Sequence, residues 1–248
     1  MAVPEVVPEA VSAQDRRANR FVGLLIVEQS LRGRDGHYFE YDRSVRQAAL
    51  DRGLQSQILA HRRVEPEITA PGGVAGIFRH SFHDNLTGST LTRLTLDPLL
   101  SNLCYYADLS KGMDRRVDSG WIVFVPTIDH RQLLAWVWWL LRRKPASAPT
   151  IVFLFRTTYL RGAGVGRWSH SAIWLKIAFR LLERLGRSRV IRMATDSGNL
   201  AREYGKMTSL PFEVLPIPHC VHPRLRDGSR RVGDRRPLRF ISLGDARL

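Results

Sequence analysis

The residues of this 248-residue chain that could do chemistry gather at a few places. His80-x-x-His83-Asp84 has the types of a metal site, but two histidines three apart with no further ligand at a recognised spacing make a weak set. A polar loop is the better reading, and no metal is expected. Arg32-Gly-Arg-Asp-Gly-His37 has glycines and the start of a helix, where backbone amides and the helix N-terminus can hold a phosphate or a sugar oxygen. It lacks G-x-G-x-x-G, and Ala60-His-Arg-Arg63 ends the next strand without an acid, so a dinucleotide site is not expected there. A turn glycine beside a capping polar residue explains Gly36-His37 equally well. Gly162-Ala-Gly-Val-Gly-Arg167 has the composition of a phosphate cradle but reads better as a flexible loop. There is no Walker sequence and no G-x-S-x-G elbow. Paired carboxylates for acid–base hydrolysis are not evident, because the polar clusters are basic.

The elements that must position these groups alternate. Phe21–Val27 is a continuous apolar run, as in a strand buried on both faces of a parallel sheet. A helix from about His37 to Arg52 ends at Gly53, with Tyr38, Tyr41, Val45, Ala48 and Ala49 as its apolar face. Strands at Ser56–Ala60 and Val74–Phe78 precede a helix over Leu91–Leu109, where Pro98 predicts a kink or a restart. Trp121–Val125, Thr150–Phe155, Val190–Ala194 and Phe212–Leu215 supply further strands. Helices through Leu133–Arg143, capped by Asp129 or Thr127, Trp168–Leu185 and Asn199–Tyr204 separate them. The expected fold is α/β: a doubly wound, mostly parallel Rossmann-like sheet with helices on both faces. Ligands of such sheets bind outside the carboxyl ends of the strands. Those loops carry His37, His80, His83, Asp129, His130, Arg156, Asp196 and Ser197.

Composition bounds the partners. Lys plus Arg minus Asp plus Glu is 38 − 23, or +15, but only Lys111, Lys144, Lys176 and Lys206 are lysines. Arginine scattered over the whole length argues less for nucleic acid than a clustered stripe would. Cys104 and Cys220 are the only cysteines, which fits a reduced, cytoplasmic chain without a disulfide framework. Leu133–Leu141 is too short to span a bilayer. Its three tryptophans and Arg142-Arg143-Lys144 could meet an anionic membrane surface, although core packing explains a helix apolar all round at least as well.

Several stretches together resemble the GT-B glycosyltransferases of the retaining mannosyl- or glucosyltransferase type. They are Gly36-His-Tyr38, Ala48-Ala-Leu-Asp-Arg-Gly53, Ala194-Thr-Asp-Ser197 with Leu200-Ala-Arg-Glu-Tyr204, Val214-Leu-Pro-Ile-Pro-His219 and Ser242-Leu-Gly-Asp-Ala-Arg247. The resemblance covers about residues 21–248. It implies the N-terminal, acceptor-side half of a two-lobed enzyme that moves a sugar from a nucleotide-sugar donor to a saccharide or lipid-linked acceptor, in cell-surface polysaccharide or glycolipid assembly. It also implies Gly36 and His37 under the donor phosphates, and Arg156, Asp129 and His130 in the acceptor cleft. No cofactor or metal is implied beyond the nucleotide-sugar co-substrate. The division expected is a tail over 1–20, the domain over 21–218, a basic linker over 219–237, and over 238–248 the first strand of a donor domain that does not follow. Such a part would be inactive alone, in the cytoplasm or at the inner face of the membrane. The rival readings are a basic α/β nucleic-acid-binding module and another nucleotide-dependent Rossmann-like enzyme.

Overall fold

A computed structural model describes residues 21–215 apart from 35–36, 71, 82, 85, 87–89, 115, 162–166, 169–170 and 187–190. The expectations for 1–20, 219–237 and 238–248 fall outside the described residues, as does Gly36.

Seven parallel strands form one sheet: β1 (Gly23–Val27), β2 (Gln55–His61), β3 (Val74–Phe78), β4 (Trp121–Val125), β5 (Thr150–Phe155), β8 (Ile191–Thr195) and β9 (Phe212–Val214). Their order is β3-β2-β1-β4-β5-β8-β9, so the chain winds outward from β1 in one direction and, after β3, returns to β4 and winds in the other. Leu25 lies level with Gln57 on one side and Val123 on the other. The doubly wound expectation holds.

Right-handed crossovers then dictate which helices take which face. The helix α1 (His37–Leu50) and the single turn α2 (Pro66–Thr69) fall on one face, where Tyr41 and Ala49 pack on Leu24, Ile26, Ile58 and Phe124. On the other face α3 (Thr90–Met113), α4 (Leu133–Leu141) and α5 (Ser171–Gly186) bury Leu25, Val27, Val123, Phe153 and Phe155. Both faces of β1 are thereby closed, which is why all five of its residues are buried. Gly23 is required there: a Cβ on it would lie 2.6 Å from the Trp121 ring.

Three details differ from expectation. Helix α3 runs unbroken through Pro98, whose carbonyl accepts from Asn102 Nδ2 at 2.8 Å. Gln132, rather than Asp129 or Thr127, is the N-cap of α4, and its side chain makes no capping bond. Two short antiparallel strands, β6 (Leu160–Arg161) and β7 (Arg167–Trp168), flank the Gly162–Gly166 loop, which itself lies outside the described residues. The short α6 (Gly198–Tyr204) is capped by Ser197, whose Oγ accepts from the Leu200 amide.

Helix α4 is core. Trp136 and Trp139 are fully buried, and Trp139 Nε1 donates to Asp114 at 3.0 Å beneath the Arg143 guanidinium. Its tryptophans form no membrane-facing side. Leu141 at its end is exposed, and further exposed apolar side chains form stripes on two other helices: Leu96, Leu100 and Leu103 follow one stripe of α3, and Ile173 and Ile177 one stripe of α5. Among the described residues no helix is long and apolar enough to cross a membrane.

Candidate functional site at the switch point

The sheet order reverses between β1 and β4, and a doubly wound sheet offers its ligand crevice at the carboxyl ends of those strands. Glu28 directly follows β1, Thr127 lies two residues past β4, Arg156 directly follows β5 and Asp196 directly follows β8. Alternation along β1 sends Val27 to the α3–α5 face and Glu28 to the α1 face. There it meets Asp42, which falls on the buried stripe of α1 between Tyr38, Tyr41 and Val45. Two carboxyl groups distant in sequence are brought together, each 1% exposed.

Few hydrogen bonds reach this pair. Glu28 Oε1 accepts from the Ser30 amide at 2.9 Å. Glu28 Oε2 and both Asp42 oxygens are buried without a hydrogen-bond partner. Thr127 lies near enough to favour the Glu28 anion, yet its Oγ1 also makes no bond of ordinary geometry. Burial without partners disfavours charge. Desolvation pushes Glu28 from 4.5 up to about 7, against the Ser30 amide, Thr127 and Arg156, which favour the anion. Asp42 is pushed well up by burial and then by the negative charge of Glu28, with Arg156 opposing. Near neutral pH the pair holds protons that exposed carboxyls would have lost.

Arg156 is the cation of the site. Its guanidinium lies 5.5 Å from the centre of the Tyr41 ring, which stacks in turn on Phe124, and Nε is 3.6 Å from Asp196 Oδ2. Burial, with the acids adding, raises Tyr38 and Tyr41 each to about 12, so both hydroxyls stay protonated donors. The Tyr38 hydroxyl lies 3.4 Å from His83 Nε2. Neutral or anionic carboxyls beside a guanidinium and two phenols can bind hydroxyl groups, hold or accept a proton, and counter a negative group at Arg156.

The chain matches no family model, no curated protein and no solved structure.

The structure divides the residues expected to line the site. Arg156 stands at the carboxyl end of β5, against Tyr41 and Asp196 and within electrostatic reach of the acid pair. Asp129 and His130 are at the same edge of the sheet but bond on its other side. His130 Nδ1 is 3.3 Å from Asp129 Oδ2 and 3.2 Å from the Tyr159 hydroxyl, and the His130 carbonyl accepts from Asn102. Asp129 Oδ1 accepts from the Arg131 amide at 2.7 Å. These bonds start the turn into α4. His37 opens α1, with its side chain outside the described residues. Asp84 pairs with Arg32 at 3.3 Å, and no group of three or more metal-ligating side chains occurs among the described residues.

The expectation that paired carboxylates are absent is overturned by Glu28 and Asp42. The sequence held a signal for each. Glu28 is an acid directly behind a fully buried strand, and Asp42 stands seven residues before Ala49 on an otherwise apolar helix face. What the sequence could not supply is that the two meet.

Proposed function

We propose that this chain is the acceptor-side lobe of a GT-B-type glycosyltransferase, which moves a sugar from a nucleotide-sugar donor to a saccharide or lipid-linked acceptor. The observation that carries the reading is the set of three buried carboxyl oxygens without partners at the switch point. Sugar hydroxyls are donors that such oxygens lack, and a carboxylate that takes up a proton near pH 7 is suited to an acceptor hydroxyl losing one. Arg156 is the group to swing aside and admit it, since its link to Asp196 is long at 3.6 Å. In the resemblance Gly36 and His37 would underlie the donor phosphates, and Arg156 would line the acceptor cleft. The donor itself would be held by a second lobe.

A lipid-linked acceptor would place the lobe at a membrane surface. Leu96, Leu100 and Leu103 on α3 and Ile173 and Ile177 on α5 favour that, because each apolar stripe leads to exposed basic residues, Lys111 on α3 and Arg180 and Arg184 on α5. A nucleic-acid module is the weaker reading. Arg32, Arg43, Arg79, Arg131, Arg143, Arg156 and Arg192 each pair with an acid, and they come from elements on both faces of the sheet rather than one stripe.

Saturation-transfer NMR of the chain with glucose- and mannose-terminated oligosaccharides tests the proposal. Transfer to the terminal sugar should appear in the natural chain and vanish in the Glu28→Gln/Asp42→Asn double variant, with the fold checked by circular dichroism. Equal transfer in both proteins would remove the crevice from the reading. No transfer, together with salt-steep binding to duplex DNA, would instead support the nucleic-acid module.

A further inference from the structure

On the α1 face the connection between β2 and β3 contains only the single turn α2, where a longer helix would fill the space beside α1. The flank of α1 is left over a cavity of about 140 Å³, lined by Leu31, Ile58, Ile68, Val74 and Phe39. Leu31, Ile58 and Ile68 are buried and form an apolar floor. Arg34, Arg43 and Arg46 stand at its rim with Glu67, a net formal charge of 3 − 1, or +2.

The guanidiniums differ in their ties. Arg43 is paired with Glu40 at 2.9 Å. Arg34 and Arg46 are held by neutral carbonyls: Arg34 Nη2 donates to Glu67 O at 3.3 Å and Arg46 Nη2 to Gly72 O at 2.9 Å. Arg46 Nε is buried and has no acceptor. The guanidiniums of Arg34 and Arg46 each give one of their five N–H groups to these carbonyls, which leaves donors for an anionic oxygen in the cavity.

We propose that this cavity is a binding site for a small amphiphilic anion, an aromatic or short aliphatic carboxylate whose apolar part fills the floor and whose head meets Arg46 and Arg34. The volume suits such a group, since a dry apolar cavity of about 150 Å³ takes up benzene. The site is separate from the switch-point crevice and stands whether or not the glycosyltransferase reading does. Among the described residues, its lining comes from α1, α2, the Leu31–Arg34 loop and strands β2 and β3.

Binding is tested on the whole chain by NMR titration with benzoate and hexanoate, with benzyl alcohol and inorganic phosphate as probes of each half of the ligand. Benzoate and hexanoate should bind at least tenfold more tightly than benzyl alcohol or phosphate, and more weakly as salt is raised. Arg46→Met, which keeps the aliphatic stem, should weaken benzoate about tenfold or more and leave benzyl alcohol unchanged. Ile68→Phe, which fills the floor from the exposed turn α2, should weaken both carboxylates. No carboxylate binding, equal affinity for benzoate and benzyl alcohol, or an Arg46→Met protein that binds benzoate as before would each overturn the proposal.

Discussion

Replacing Glu28 by Gln should make the fold increasingly more stable than the natural chain as pH rises above about 4.5. Burial raises the Glu28 carboxyl from 4.5 in the unfolded chain to about 7 in the folded one. Below pH 4.5 the group is protonated in both states and adds nothing to a pH dependence. As pH rises from there toward 7 the unfolded chain loses its proton first, so it binds fewer protons than the fold and stability declines. Above pH 7 the folded state carries a buried anion with one hydrogen bond, and the accumulated loss is about 3 kcal/mol at ~1.4 kcal/mol per pKa unit. Asp42, raised for the same reasons, adds to the decline. Glutamine has no proton to lose and matches the side chain in shape. Urea unfolding followed by tryptophan fluorescence should show the variant gaining on the natural protein by about 3 kcal/mol between pH 4.5 and 8.5. The gain in Tm at the alkaline end should be roughly 6–12 °C for a chain of this size. A stability difference constant to within about 0.5 kcal/mol over that range would refute the reasoning, because Glu28 would then ionise as an exposed carboxyl does.

Three further outcomes follow from the same contacts. Arg156 favours the anionic forms of Glu28 and Asp42, so Arg156→Gln should move the Glu28 midpoint above 7, read from the side-chain carboxyl ¹³C shift across a pH titration. Gly23→Ala should destabilise by about 1–3 kcal/mol, seen as a lower urea midpoint at unchanged slope, since its Cβ would press on the Trp121 ring inside a sheet closed on both faces. Cosedimentation with vesicles containing anionic lipid should be reduced several-fold by the pair Leu100→Asp and Ile177→Asp and untouched by Trp138→Phe, because α4 packs inside the domain.

The sequence carried the fold well because its signals were local and strong. Continuous apolar runs such as Trp121–Val125 admit only a strand buried on both sides, and glycine at 53 marked a helix end that the structure gives a φ of 73°. At Pro98 the sequence allowed a restart, but the helix runs on through the proline and packs against α4. Arg156 was legible as a residue at the carboxyl edge of the sheet because it directly follows an apolar strand. Asp129 and His130 come from the loop after β4, and a neighbouring phenol, Tyr159, and the start of α4 use their hydrogen bonds on the far side of the sheet. The acid pair was not legible as a pair, because nothing short of the α1 crossover says that position 42 lies over position 28.

The energetics of that pair argue for a role beyond architecture. Buried acids kept for the fold are ordinarily given donors, as Glu203 is: its carboxylate accepts from the Thr158 hydroxyl and the Tyr159 amide. Glu28 and Asp42 have one hydrogen-bond donor of ordinary geometry between them, the Ser30 amide, although Arg156 stands close enough to influence both. That guanidinium rests on Tyr41 and Asp196 instead of closing on the carboxyls. A pair of apolar side chains at 28 and 42 would remove the desolvation penalty and fill the same space. A chain that retains two under-satisfied acids at the carboxyl end of its switch-point strand therefore bears a stability penalty where ligands of this architecture bind, which is where strain and shifted acidity are put to use.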